Sequence, residues 1–101
     1  MKPISIEEEA GRELAGSVDF YEGRSPGLGW EFERAAREAV RTIQAHPERH
    51  PLQKDGTRRC VMPRFPFTIR YLELPDCIWI VAFAHTSRKP GYWKARLRSK
   101  P

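Results

Sequence analysis

The stretch FPFTIRYLELPDCIWIVAFAH, residues 65–85, decides the fold of this chain. Its first part alternates apolar and polar side chains, which is the period of a β-strand with one buried face. Pro75 and Asp76 follow and predict a tight turn. The remainder, CIWIVAFAH, is apolar at nearly every position, as expected of a central strand covered on both faces. With TRRCVMP at 57–63 as a further strand, the sequence predicts a three-stranded antiparallel meander.

The first residues predict a short strand followed by a helix. Residues 2–6 can form an edge strand, although Pro3 restricts which side can pair. Ser5 is the expected N-cap of a helix over about residues 6–23, and the acidic run that follows it suits the positive end of a helix. Apolar side chains then recur at helical spacing.

A second helix is expected between two prolines. Ser25 and Pro26 have the character of a cap and a first-turn proline, and Pro47 ends the helical pattern. Two amphipathic helices joined by a few residues should form an antiparallel hairpin that packs on one face of the sheet. Trp30 and Trp79 are predicted to pack in this hairpin or in the core.

Charge is distributed unevenly along the 101 residues, a length that suits one domain. Residues 1–53 hold ten acidic and seven basic side chains, a net charge of −3, whereas residues 54–101 hold three acidic and eleven basic ones, a net charge of +8. The basic half predicts contact with nucleic acid or another acidic partner. A basic surface that is merely solvated is the alternative.

Cysteine and histidine usage indicates a cytoplasmic protein without a metal or cofactor. Cys60 and Cys77 lie in apolar surroundings and are expected to be buried free thiols in a reducing compartment. His46 and His50 are four residues apart, but Pro47 breaks the helix that would align them as ligands. No stretch suits a signal peptide or a membrane span.

The predicted order of elements is strand–helix–helix–strand–strand–strand. This order, together with five pieces of the sequence, resembles the RelE/ParE family of bacterial type II toxin–antitoxin toxins. Within that family the resemblance is to the plasmid-stabilisation subgroup. The resemblance covers nearly all of residues 10–96. It implies a two-layer α+β domain, β-α-α-β-β-β, over residues 1–101 with a basic tail at 86–101. The matching pieces are ELAGSVDFYEGRSPGLGWEF, IQAHPERHP, the RR at 58–59, RFPFTIRY and AHTSRKPGYW.

Two activities share this fold, so the fold alone does not choose between them. RelE-like members are ribosome-dependent endoribonucleases that cut messenger RNA, and ParE-like members inhibit DNA gyrase without catalysis. The resemblance implies that a cognate antitoxin neutralises either kind in a toxin–antitoxin hetero-oligomer. The KPGYW ending favours cleavage of mRNA on the ribosome for this chain, with gyrase inhibition as the alternative.

The ribonuclease interpretation places the chemistry in the tail. RNA cleavage by its own 2′-hydroxyl needs a proton acceptor, a proton donor and cations that stabilise the developing charge. His85 ends the last predicted strand, where its imidazole is expected to face the same concave surface as the strand arginines. Arg88 and Tyr92 fall where RelE-like enzymes carry a tail arginine and tyrosine. The predicted catalytic residues are therefore His85, Arg88 and Tyr92, with a structural hydrogen-bonding role as the alternative for His85.

The remaining basic and aromatic side chains are candidates for nucleic-acid binding, since guanidinium groups suit phosphate geometry and aromatic rings stack on bases. Arg59 and Arg70 have alternatives as antitoxin partners or solvated strand residues, and Trp93 as an anchor that packs the tail onto the body. An antitoxin segment is expected to cover the concave face of the sheet. The predicted binding residues are Lys54, Arg59, Arg70, Lys89, Trp93 and Lys94.

Overall fold

The computed structural model describes residues 1–101 and contains the predicted elements in the predicted order. They are β1 (Ile4–Ile6), α1 (Glu8–Arg24), α2 (Leu28–Ala45), β2 (Arg58–Val61), β3 (Phe67–Glu73) and β4 (Ile78–His85); a 3-10 helix (Lys94–Ser99) in the tail was not predicted. The sheet has the order β1-β4-β3-β2, in which β1 runs parallel to β4 and the other neighbours are antiparallel. The α+β class, the helical hairpin and the three-stranded meander are confirmed.

Helix α1 begins two residues later than expected, and Ser5 is not its N-cap. Ser5 lies inside β1, so its backbone is committed to the strand ladder. Glu7 caps the helix instead: its Oε1 accepts hydrogen bonds from the backbone N–H groups of Glu9 at 2.8 Å and Ala10 at 3.0 Å. A glutamate cap satisfies free donors at the positive end of the helix with a full negative charge.

The two helices pack unusually closely where α2 begins. A Cβ atom on Gly29 would lie 2.5 Å from the carbonyl oxygen of Val18, so only glycine fits there.

The predicted cap at Ser25 and Pro26 is wrong, because α2 begins at Leu28. Glu22 of α1 performs the capping from across the hairpin, accepting from the backbone N–H groups of Gly27 at 3.0 Å and Gly29 at 3.1 Å.

The sheet face that contacts both helices, called the helix face below, carries the main core of the protein. Its cluster of fourteen buried residues is apolar apart from the hydroxyl of Tyr71. At its centre the ring of Phe32 lies 5.1 Å from that of Phe65 and 4.9 Å from that of Phe67, measured between centroids. The alternation in β3 therefore predicted its buried face correctly: Phe67, Ile69 and Tyr71 are all buried against the helices.

Strand β4 contains an irregularity that reverses which residues face the helices. Its partners in β3 change from Arg70↔Ala82 to Tyr71↔Ile80, so Val81 is an extra residue opposite no partner. This is a β-bulge, which shifts the alternation of side chains by one position. Before it Ile80 faces the helices, and after it Phe83 does.

The opposite face of the sheet, called the tail face below, is partly covered by the chain's own C-terminal segment. Trp93 is buried in a second apolar cluster with Trp79, Val81, Ala82 and Ala84 of β4. Trp93 thus takes the anchoring role that was given as its alternative, and Trp79 packs in this cluster as predicted. The tail at 86–101 is thus folded onto the body, although most of its basic side chains remain exposed.

Two burial predictions are wrong. The side chain of Trp30 is 59% exposed, because it lies two positions before the buried Phe32 and so projects from the opposite side of α2. Cys77 is only half-buried at the turn before β4, whereas Cys60 is buried as expected and burial raises the pKa of its thiol. No disulfide links the two cysteines.

Candidate functional site

The predicted site residues separate into two groups on opposite faces of the sheet. His85 is paired with Phe67, and directly paired residues of antiparallel strands project to the same side. His85 therefore lies on the helix face, its ring 5.0 Å from that of Phe67 between centroids. Arg70 projects to the tail face beside Arg59 of β2. The expectation that His85 faces the same surface as the strand arginines is wrong.

The first group lines a cleft between α1 and the end of β4, called the β4-end cleft, with a volume of about 350 Å³. The Nδ1 atom of His85 accepts from the backbone N–H of Ser87 at 3.0 Å and contacts the hydroxyl of Ser87 at 2.7 Å. A backbone N–H can only donate, so the neutral ring carries its proton on Nε2. His85 is therefore arranged to donate a hydrogen bond into its surroundings, and its accepting nitrogen is already occupied.

Arg88 and Tyr92 are joined to each other and to Glu13 of α1. The guanidinium carbon of Arg88 lies 3.8 Å from the centre of the Tyr92 ring. The Tyr92 hydroxyl donates to Oε2 of Glu13 at 2.5 Å, and Nη1 of Arg88 lies 3.5 Å from the same oxygen. Burial and the bond to Glu13 raise the pKa of Tyr92 far above its ordinary value. The hydroxyl thus serves as a committed donor in the free protein.

Glu13 also completes the free edge of β4. Strand β1 pairs only with residues 78–80, so beyond them the edge of β4 that faces away from β3 has no strand beside it. There Oε1 of Glu13 accepts from the backbone N–H of Phe83 at 3.1 Å, and Nη1 of Arg96 donates to the carbonyl of Val81 at 3.0 Å. The two side chains close the gap together, since Nη1 and Nη2 of Arg96 each donate to a Glu13 oxygen at 2.9 Å. We call Glu13 with Tyr92 and Arg96 the tail latch.

The second group of predicted residues lines a shallow cleft between the loop before β2 and the tail, called the tail cleft. Its volume is about 320 Å³. Four of the six predicted nucleic-acid-binding side chains line this cleft: Lys54, Arg70, Trp93 and Lys94. The other two lie outside it, Arg59 exposed on β2 next to Arg70, and Lys89 exposed in the turn after β4. The structure thus brings most of the predicted cations together.

Asp55 organises the tail cleft. Its Oδ1 accepts from the backbone N–H of Thr57 at 2.9 Å and from the hydroxyl of Thr57 at 2.6 Å, and its Oδ2 accepts from the indole N–H of Trp93 at 2.9 Å. Burial acts to raise the pKa of Asp55, but these hydrogen bonds and the charge of Arg70 outweigh it and lower the pKa below its ordinary value. A carboxylate at this position therefore ties the tail to the loop.

Arg70 is the cation that the fold holds most firmly in this cleft. Its guanidinium carbon lies 4.5 Å from the centre of the Trp93 ring, and its Nη1 lies 3.4 Å from the hydroxyl of Thr57. Its Nε atom is buried without a hydrogen-bond partner. Burial lowers the pKa of Arg70, and Arg59 adds to this effect while Asp55 opposes it. The buried Nε is out of reach of a ligand, so an anionic group would meet only those guanidinium atoms that line the cleft.

The segment that leads into the loop carrying Lys54 and Asp55 is held by hydrogen bonds to the side chain of Tyr71. The Tyr71 hydroxyl donates to the carbonyl of Pro47 at 2.6 Å, and His50 contacts that hydroxyl through Nδ1 at 3.1 Å. Burial raises the pKa of Tyr71 to about 12, and burial with two neighbouring arginines lowers the pKa of His50. Both groups are therefore neutral near pH 7 and act as structural supports.

Sequence inspection missed Glu13, Asp55 and Arg96. The run Asp55-Gly56-Thr57 carries a usable signal, since aspartate followed by glycine marks a turn in which the carboxylate bonds to the backbone two residues on. Glu13 is one of ten acidic residues in the first half of the chain, and no spacing distinguishes it from the others. Its partners follow it by 70 to 83 residues.

The structure contains no group of three or more His, Cys, Asp or Glu side chains placed to hold a metal ion. None of its helices combines the length and the apolar character that crossing a membrane requires.

No protein-family model matches the chain, and a search of curated proteins also finds no match. A search of solved structures does find the fold. A chain of the structure described as "Chromosomal ParDE TA system from P. aeruginosa" matches with a TM-score of 0.76. The match covers 86% of this chain and 98% of that chain. This chain has the RelE/ParE-like fold. The two sequences are 19% identical, so the likeness concerns the fold alone.

Proposed function

We propose that this protein is the toxin of a bacterial type II toxin–antitoxin system that acts in the cytoplasm and is neutralised by a cognate antitoxin. Three observations support this function: the RelE/ParE-like fold, the family-like pieces spread over residues 10–96, and a basic surface around the tail cleft. The two proteins would form a hetero-oligomer in which the antitoxin keeps the toxin inactive.

The toxin acts by binding its target without catalysis, in the manner of a ParE-like gyrase inhibitor. The observation that carries this choice is the separation of His85 from the cations of the tail cleft, Lys54, Arg70 and Lys94. Transfer of protons and stabilisation of charge at one phosphate require both kinds of group around the same atoms. Here His85 projects to the helix face, whereas Arg70 projects to the tail face. Tyr92 is engaged by Glu13 in the free protein.

Ribosome-dependent cleavage of mRNA is the second candidate. One observation favours it: His85 and Arg88 line the same cleft, where Nε2 of the imidazole and an exposed guanidinium are both available to a ligand. In this mechanism Arg88 would stabilise the phosphate charge and His85 would donate a proton. The sequence alone favours mRNA cleavage, whereas the arrangement of the side chains favours gyrase inhibition.

Induction in cells with two matched variants separates the candidates. We expect supercoiling to change first while messages stay intact. Arg59→Ala combined with Lys54→Ala should relieve growth arrest because both exposed cations adjoin Arg70, whereas His85→Gln should remain toxic. Early message cleavage, with toxicity lost in His85→Gln and kept in the double variant, would establish the ribonuclease instead. A wild-type chain that neither arrests growth nor binds the product of the adjacent gene is not a toxin of this kind.

A further inference from the structure

Trp30 differs from the other two tryptophans of the protein. Trp79 is 3% exposed and Trp93 is 5% exposed, whereas Trp30 is 59% exposed on the outer side of α2. The guanidinium carbon of Arg34, one helical turn later, lies 4.8 Å from the centre of the indole ring. Trp30 and Arg34 line an open groove of about 530 Å³ that is separate from the tail cleft and the β4-end cleft.

The charges around this groove leave one cation without an acidic partner. Glu31 pairs with Arg64 at 2.8 Å, and Glu38 pairs with Arg41 at 3.4 Å. Arg34 makes no salt bridge, and its contact is with the indole ring. The groove therefore offers an apolar ring and an available guanidinium side by side. Tryptophan and arginine are the side chains that most often dominate binding energy at protein interfaces.

The chemistry of the groove fits a protein segment better than a nucleic acid. Glu31 and Glu38 line it together with Arg34 and Arg64, so the lining charges cancel and the groove lacks the excess of positive charge that binds a chain of phosphates. The half of the sequence that forms both helices, residues 1–53, has a net charge of −3. A protein segment can place an apolar side chain on the indole and a single carboxylate on Arg34 without bringing further negative charge.

We propose that the groove around Trp30 and Arg34 is the docking surface for a protein partner, through a segment with an apolar side chain and a nearby carboxylate. We identify this partner as the cognate antitoxin. Only this identity rests on the proposed function; the docking surface itself does not. The tail face is already partly covered by Trp93 and its neighbours, so the helical layer offers the partner an accessible aromatic anchor.

Tryptophan fluorescence tests the site directly. Trp30 is the exposed tryptophan, so quenching by acrylamide reports on it while the two buried tryptophans contribute little. The probe is the purified product of the adjacent gene, added to the full chain. We expect binding to shield Trp30 from acrylamide, and Trp30→Phe to remove most of the quenchable signal. Single-stranded RNA of the same concentration should leave the quenching unchanged, and shielding by RNA without shielding by the protein would overturn the proposal.

Affinity measurements on matched variants complete the test. Trp30→Ala and Arg34→Glu should each weaken binding of the adjacent gene product by about thirtyfold, the size of an interface hot spot. Arg37→Glu is the control, because it makes the same charge change one turn later on α2 at a residue outside this groove. All three variants should melt like the wild type, since the three side chains are exposed.

Two further outcomes distinguish the inference from the proposed function. If the adjacent gene product binds tightly and Trp30→Ala and Arg34→Glu bind it as well as the wild type, the docking surface is wrong and the toxin–antitoxin function stands. If that product does not bind the wild-type chain, the proposed function fails and the named partner fails with it. Equal weakening by Arg37→Glu would mean a general charge effect and would also overturn the proposal.

Discussion

The two faces of the sheet are covered in different ways. The helix face is covered by two long amphipathic helices over a cluster of fourteen buried residues, almost all of them purely apolar. The tail face is covered by a short irregular segment whose Trp93 packs on four buried residues of β4, and it is closed by the carboxylates of Glu13 and Asp55. Burial of apolar area holds the first layer, whereas a few specific hydrogen bonds hold the second. The C-terminal tail should therefore be able to detach from the sheet while the helices and the main core stay folded.

The largest effect is expected on the helix face. Phe32→Ala removes a fully buried ring from among three other aromatic rings and leaves a cavity, which costs about 3–5 kcal/mol of unfolding free energy. Chemical denaturation measures this loss. Phe20→Ala is the matched control on α1, where the ring is 58% exposed and little should change. Similar losses in the two variants would contradict the assignment of the main core.

A smaller effect, confined to the tail face, is expected from Glu13→Gln. The variant keeps the shape of the side chain and removes the charge that receives Tyr92 and Arg96, a loss of about 1–3 kcal/mol. Hydrogen exchange should accelerate at the Phe83 amide and in the tail, with the centre of α2 staying protected. Glu8→Gln, an exposed residue of the same helix, should exchange like the wild type. Unchanged exchange at Phe83 would show that Glu13 does not hold the tail on the edge of β4.

Acid should loosen the tail cleft, since Asp55 has a pKa lowered by folding. Its contribution to stability is present above about pH 4, the unfolded value, and is lost as the pH falls through the lower folded value. Asp55→Asn removes this titration, and its single side-chain oxygen can accept from Thr57 or from the Trp93 indole but not from both. We expect the acid transition of tryptophan fluorescence in the wild type to be absent from the variant. An identical acid profile in both would show that Asp55 does not hold the tail.

The smallest effect is expected from Arg88→Ala. The side chain is exposed, and its distance to Glu13 is 3.5 Å, so the change in stability should stay within about 0.5 kcal/mol. Thermal melting measures it, with Arg96→Ala as the contrasting variant, because Arg96 is part of the latch and mostly buried. If Arg88→Ala destabilises the protein as much as Arg96→Ala, then Arg88 also belongs to the tail latch and the expected difference between the two arginines is wrong.

The sequence predicted much of the fold and less of the site. Periodicity located both helices and the meander, although the predicted caps, Ser5 and Ser25, lie two residues before the observed ones, Glu7 and Gly27. Pattern and charge also selected the cations that line the tail cleft, Lys54, Arg70 and Lys94. Periodicity could not assign Trp30, since an aromatic side chain on a helix is found in cores and at interfaces alike.

The residues alone determined the existence and order of the two helices and four strands, the single antiparallel meander and the basic character of the second half, because these follow from local spacing and composition. The tertiary structure alone decided which side chains meet. One extra residue, Val81, reverses the alternation of β4 and turns His85 to the helix face, away from Arg70. Glu13 finds Tyr92 and Arg96 across the free edge of β4. A bulge and a long-range carboxylate contact have no periodic signature, so only the folded chain reveals them.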